Sequence, residues 1–372
     1  MADLLHFLWG NIVVFLAVLT VVVFVHELGH YLVARACGVK IETFSIGFGP
    51  ELIGRTAKSG TRWRISLLPL GGYVKMFGDA DAASTPGETS HLTPEEQAQT
   101  LAGRPVWQRA AVVAAGPLFN LVFGLFLMAA GYWFAGEVRL APVVGKVSEG
   151  SAAEQAGIKT GDRILQANAH SVDRFQDVQT VVGLSVGEPV ALVIQRDGQQ
   201  LMFSVQPRII EMDDGFGNKI KRPLLGISSD PDASEIIHHG PISAMGSALR
   251  DGTGMISATL TGVGQMLSGR RSTEDLSGPI GIAKRTGQAA QFGTGGVIYI
   301  IILLSINLGL VNLFPVPMLD GGHLVFYAAE ALIGRPLSPK VQEYGFRVGL
   351  FLVIALMLLA TRNDLVALFR AH

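Results

Sequence analysis

Three residues within one helical turn, His26, Glu27 and His30, have types and spacing that could do chemistry together. Side chains four apart on a helix share a face, so His26 and His30 can both present ring nitrogens to one cation. Glu27, next to His26, can reach a water at an open coordination position of that cation. Zinc at such a site lowers the pKa of water from 15.7 to about 7. A neighbouring carboxylate can then take the proton and pass it to a leaving amine. The short pattern recurs by chance on solvated helix faces, so its position matters. Here it closes an apolar run from Ile12 to Val25 that only Thr20 interrupts. Ionisable groups at the centre of a membrane helix cost about 2.5–3.5 kcal/mol each. A bound metal accounts for their presence; a purely structural role finds no partners close by in the sequence.

Catalytic zinc usually takes three protein ligands and a water. Asp320 is the expected third ligand, in NLFPVPMLDGGH (residues 312–323). Pro315 and Pro317 break the chain after an apolar run, and non-helical backbone at membrane depth needs protein or a cavity around it. Asp-Gly-Gly is also ordinary turn chemistry, and His323 is the alternative ligand. Most of the other histidines (His6, His91, His170, His238, His239 and His372) fall in expected loops or termini.

These groups must be positioned by long apolar segments. The chain has 372 residues, of which 16% are charged, against about 25% in soluble domains. The apolar excess is concentrated in four expected spans, roughly residues 7–34, 107–134, 297–314 and 344–360. In the fourth, Arg347 must snorkel to an interface or face protein. The N-terminus lacks the positive region of a secretory signal, so the first span reads as an uncleaved helix. The single cysteine, Cys37, can form no internal disulfide. A net charge of −1 gives no electrostatic reason for a nucleic-acid partner. The segment from Arg35 to Arg109 is rich in Arg and Lys beside two spans, which predicts a cytoplasmic position. Residues 136–293 then lie on the outer side.

The loops have character of their own. Residues 42–77 mix apolar and β-branched residues with paired glycines, which predicts short strands tucked against the membrane face of the site. Residues 142–207 read as a compact α/β unit resembling a PDZ domain, on AAEQAGIKTGDRILQANAHSV. Such a unit often binds a peptide or C-terminus by strand addition; a spacer or lid is the alternative. Residues 241–292 have helical spacing of apolar and small residues, as amphipathic helices on the membrane surface or under the α/β unit would. Residues 79–97 read as a polar insertion.

With HELGH (26–30), GFGP (47–50), PLGGYVKM (69–76), AGPLFN (115–120), SGPIGIAK (277–284) and NLFPVPMLDGG (312–322) in this order, the chain resembles the site-2 protease family (peptidase M50) of intramembrane zinc proteases. Its bacterial regulator-of-sigma-E branch is the best match. The resemblance implies a polytopic α-helical membrane protein with about four transmembrane helices, a membrane-associated β-hairpin and one extracytoplasmic PDZ-like α/β domain. The corresponding division is a first span with the histidine motif (1–36), a cytoplasmic loop with the hairpin (37–105), a second span (106–135) and a periplasmic PDZ domain (136–210). A periplasmic linker with amphipathic helices (211–293), a third span with a cytoplasmic loop (294–340), and a fourth span with the C-terminus (341–372) complete it. Well-known members of this branch carry two tandem PDZ domains, where one is found here.

Carried over by position, the likeness implies Zn2+ held by His26, His30 and Asp320, with Glu27 as general base. Asn312, Pro315 and Asn120 match positions near the substrate. It further implies the bacterial inner membrane as location and single-pass membrane proteins as substrates, such as a pre-cleaved anti-sigma factor or remnant signal peptides. Two readings of other classes compete. A non-catalytic PDZ-containing scaffold has no need of the four site residues, and a metal transporter needs paired broken helices that the chain lacks.

Overall fold

A computed structural model describes residues 2–79, 92–213 and 219–370. Most of the expected polar insertion, with His91, lies outside these residues, as does His372. The chain opens with α1 (Ala2–Ala36), β1 (Ile41–Thr56), β2 (Arg62–Met76), the short α2 (Pro94–Gln97) and α3 (Val106–Phe134). There follow β3 (Glu137–Leu140), β4 (Val144–Val147), α4 (Ala152–Gln155), β5 (Arg163–Ala167), β6 (His170–Ser171) and α5 (Phe175–Leu184). Next come β7 (Val190–Arg196), β8 (Gln199–Val205), β9 (Arg208–Asp213), β10 (Lys219–Leu224), β11 (Ile227–Ser229) and β12 (Ser234–Ile237). The helices α6 (Pro241–Leu267), α7 (Pro279–Gln291), α8 (Thr294–Asn312), α9 (Asp320–Ile333) and α10 (Pro339–Arg370) end the chain.

Among the described residues, four segments are long and apolar enough to cross a membrane: Gly10–Ala36, Val106–Phe134, Thr294–Asn312 and Lys340–Ala367. They coincide with the four expected spans, and the protein is a polytopic membrane protein. Two elements differ from expectation. The stretch after the third span, read as a loop, contains the helix α9, which begins at Asp320 itself. Helix α7 packs on α1 and α8: its Ala289 is buried with Val18, Val22 and Ile300.

The chain divides into two compact units, one from residues up to Leu127 with Gly278–Arg362, the other from Met128–Ser277 with the residues that follow Arg362. In the first, β1 and β2 are long, bent antiparallel strands. The first half of β1 is flanked by both halves of β2, pairing Phe44 with Val74 on one side and with Trp63 on the other. Gly47 (φ 86°) and Gly71 (φ 115°) sit at the bends, in a region closed to most side chains. The strands are fixed to α1 by aromatic packing: Phe44 stacks on Trp63 at 4.3 Å between centroids, and Tyr31 meets both edge-on.

The second unit has a four-stranded antiparallel sheet in the order β6-β5-β7-β8. Two-residue turns with positive φ join its strands: Asn168-Ala169 between β5 and β6, and Asp197-Gly198 between β7 and β8. These are the geometries that match strand twist. Ile164, Leu192 and Ile194 are fully buried in its core, together with Val178 and Val182 of α5. Arg174, at the start of α5, gathers Asp251 of α6 (2.6 Å) and Glu137 of β3 (3.1 Å), and Tyr132 of α3 donates to Asp251 at 2.6 Å.

Asp162 is buried before β5. It accepts two bonds from Arg196 (2.6 and 2.7 Å) and one from the Lys159 backbone N–H (2.7 Å). Burial works to raise its carboxyl, but Arg196 and Lys159 outweigh it and hold the group below its ordinary value. The stabilisation is thus present above the unfolded carboxyl's pKa and is lost as pH falls through the depressed folded value. Asp162→Asn is expected to destabilise this unit by about 2–3 kcal/mol at neutral pH. In thermal melts the difference from wild type should shrink on acidification.

Candidate metal centre

The site is assembled from α1, α3, the β1–β2 pair and the start of α9. Two histidines one turn apart on α1 point their Nε2 atoms toward each other, at 3.2 Å. Asp320, the first residue of α9, brings Oδ2 to 3.2 Å from His26 Nε2 and Oδ1 to 3.6 Å from His30 Nε2. One ligand atom from each of these residues lies within 4.8 Å of the others. Zinc–nitrogen bonds of 2.0–2.1 Å at a tetrahedral angle separate two ligands by about 3.3 Å. The observed spacings, and a donor set of two imidazoles and one carboxylate, therefore fit zinc. His30 Nδ1 donates to the Val112 carbonyl at 2.9 Å, which leaves its Nε2 lone pair turned toward His26 and Asp320.

Close helix contacts make this convergence feasible, and glycines supply the space. A Cβ at Gly29 of α1 would lie 2.5 Å from the Ala115 carbonyl oxygen of α3. At Gly116 it would lie 2.3 Å from His30 Nε2. α8 approaches α3 in the same way: a Cβ at Gly309 would meet the Pro117 carbonyl oxygen at 2.7 Å. The loop that carries the chain from α8 to Asp320 is strained at Met318, whose φ is 86°. Gly321 and Gly322 are not a turn. They form the first turn of α9 and lie against that loop, where Cβ atoms would come within 2.2 Å of the Phe314 and 2.5 Å of the Val316 carbonyl oxygens. Further along α9, Glu330 forms a bidentate pair with Arg109 of α3 at 2.6 and 3.0 Å, both side chains largely buried. The Arg109 guanidinium also lies over the Tyr327 ring. This pair anchors the helix that bears Asp320.

Gly321→Ala is accordingly expected to displace Asp320 and to lower zinc affinity about 10–100-fold, the range seen when a metal ligand loses its support. Leu332→Ala, at an exposed position of the same helix, should leave affinity unchanged in the same chelator titration.

Glu27 is half-buried on α1. β2 passes directly over it: a Cβ at Gly72 would contact Glu27 Cγ at 3.4 Å, and the Val74 backbone hydrogen-bonds its carboxylate. Asn120 is fully buried, with its amide nitrogen 3.5 Å from His26 Nδ1. Asn312 ends α8 and is half-buried, and Pro315 lies exposed in the following loop; neither joins the converging group. His323 packs instead against the rings of Phe326 and Phe346. The residues that sequence reasoning missed are Gly116, Arg109 and Glu330. AGPLFN flagged the first of these as a motif, and nothing local marks the other two.

Comparison with known proteins accords with this chemistry. The profile of Peptidase family M50 matches residues 14–356. A protein of Agrobacterium fabrum, named a "putative zinc metalloprotease", is 45% identical over 366 residues, covering 97% of both chains. A protein of Rhizobium meliloti with the same description is 42% identical, covering 99% of this chain and all of its own. Metalloprotease MmpA of Caulobacter vibrioides is 38% identical over 94% of both. With a donor set that fits zinc at its centre, and relatives of this kind along nearly its whole length, the chain belongs to peptidase family M50 and is a zinc metalloprotease of the site-2 protease type.

Proposed function

We propose that the chain cleaves transmembrane segments of single-pass membrane proteins, with His26, His30 and Asp320 as zinc ligands and Glu27 as general base. The observation that carries this reading is position: both histidines and Glu27 belong to the segment Gly10–Ala36, which is long and apolar enough to cross a membrane, and Asp320 converges on them from the start of α9. Zinc, when bound, supplies a Lewis acid that brings the pKa of water near neutrality. Glu27 takes the proton of the attacking water and delivers it to the leaving amine nitrogen. The helical substrate must first unwind, because its amides are shielded by their own hydrogen bonds. The half of β2 at Gly72–Met76, beside Glu27, pairs with no strand except β1 among the described residues. That supports capture of the unwound segment by strand addition. Asn312 and Pro315, at the end of α8 and in the loop leading to Asp320, are proposed to contact the substrate there.

In this reading residues 37–105 face the cytoplasm of a bacterial inner membrane, in keeping with their positive charge. Residues 136–210 form a periplasmic PDZ domain that binds a peptide or C-terminus or excludes bulky outer domains; 211–293 follow on the same side, and 294–340 return the chain to the cytoplasm. The four-stranded sheet with α4 and α5 supports the PDZ assignment. Substrates include an anti-sigma factor already trimmed outside, and remnant signal peptides.

The test is cleavage of a single-pass reporter by purified protein in proteoliposomes. A trimmed reporter should be cut, chelation should stop the reaction, and zinc should restore it. Hydrolysis of soluble peptides with the reporter left intact would overturn the intramembrane assignment.

A further inference from the structure

Which nitrogen of each histidine can hold a metal depends on where its proton sits. A neutral imidazole has one N–H and one lone pair. In both His26 and His30 it is Nε2 that faces the other ligands, so Nδ1 must carry the hydrogen and needs an acceptor. For His30 that acceptor is the Val112 carbonyl, at 2.9 Å. For His26 the polar group facing Nδ1 is the amide of Asn120, at 3.5 Å. Asn120 is fully buried, and in the orientation with its nitrogen toward the ring its Oδ1 has no hydrogen-bond partner. The contact with His26 is then what decides which way the amide turns, and oxygen and nitrogen exchange places by rotation of the terminal group. An N–H on Nδ1 selects the orientation with oxygen toward the ring.

We propose that Asn120 is a positioning residue of the metal centre: its amide oxygen accepts from His26 Nδ1–H and so fixes the tautomer whose Nε2 lone pair faces Asp320 and His30. The inference rests on the zinc-ligand reading above and deepens it, and it moves Asn120 from the substrate to the metal. It also gives α3 a specific task. Val112, Gly116 and Asn120 recur every four residues and share a face. The first orients His30, the second makes room for its ring, and the third orients His26. A helix without ligands of its own thereby sets the protonation pattern of both ligands on α1. Outer partners of this kind hold ring orientation and tautomer in metal sites generally.

The experiment is a chelator competition for zinc on the full chain in detergent, with cobalt substitution as a spectroscopic readout. Asn120→Leu, which has no acceptor, should weaken zinc binding about 10–100-fold. Asn120→Asp accepts the same bond and should stay within about threefold of wild type, with a cobalt spectrum like that of wild type. The inference is overturned if folded Asn120→Leu binds zinc as wild type does and only KM rises, which would return the residue to the substrate. It is overturned equally if Asn120→Asp binds more than about tenfold more weakly, and that arm decides the matter should Asn120→Leu fail to fold. His26→Ala separates the two layers: it should lose zinc altogether. Wild-type zinc binding by His26→Ala would refute the ligand set itself rather than the role of Asn120.

Discussion

Glu27→Gln should lower kcat of the purified protease about 10²–10⁴-fold, the usual contribution of a positioned general base, with its zinc content unchanged. Gln keeps the size of Glu27 and its place beneath Gly72 and Val74 of β2, but it cannot take a proton. Since the residue lies outside the converging group of His26, His30 and Asp320, metal retention and turnover should separate cleanly. Zinc stoichiometry by elemental analysis and single-turnover cleavage of a membrane reporter measure the two. Equal cleavage by the variant would remove Glu27 from its role. Joint loss of zinc and activity would make it a ligand or a scaffold residue instead.

Gly116→Ala is expected to have a comparable effect for an opposite reason: metal is lost first and activity follows. The added methyl would lie 2.3 Å from His30 Nε2, and 2.6 and 2.8 Å from its neighbouring ring carbons. Real contacts of that length do not occur, so either the ring or α3 must move. The ring cannot swing freely, because Nδ1 is held by Val112. α3 is itself pressed on α1 at Gly29 and on α8 at Gly309. A displacement near 1 Å at a catalytic centre costs about 10²-fold in rate, and zinc affinity should fall by a similar factor. Gly131→Ala, on the same helix with open space at its Cβ, should leave zinc binding and turnover near wild type. If Gly116→Ala retains wild-type zinc affinity, the close packing of α3 on His30 is not a constraint on the centre.

Much of this architecture is legible in the sequence because its signals are local or simply periodic. Spans announce themselves by apolar length, and the paired histidines by their four-residue spacing on one. Asp320 was legible through the prolines before it. Its setting was not: Asp-Gly-Gly reads as turn chemistry, whereas here the glycines begin α9 and are required by the loop carbonyls pressed against them. α5 escaped because FQDVQTVVGL is rich in β-branched residues, although Phe175, Val178 and Val182, buried on one face, already follow helical spacing. The approach of Gly116 to His30 and of Asn120 to His26, and the pairing of Arg109 with Glu330, depend on packing between helices distant in the chain. No window of sequence contains that information. GFGP and PLGG were visible as punctuation, but that they bend two long strands, so that one half of β1 lies between both halves of β2, follows only from the register.

The most direct measurement is the position of the cut. A single-pass reporter with an outer domain already trimmed is incubated with the zinc-loaded protein in proteoliposomes, and the new termini are mapped by mass spectrometry. The account predicts termini inside the apolar segment of the reporter, produced by wild type and not by Glu27→Gln. Termini confined to the flanking soluble sequence, or the same internal termini from Glu27→Gln, would contradict it.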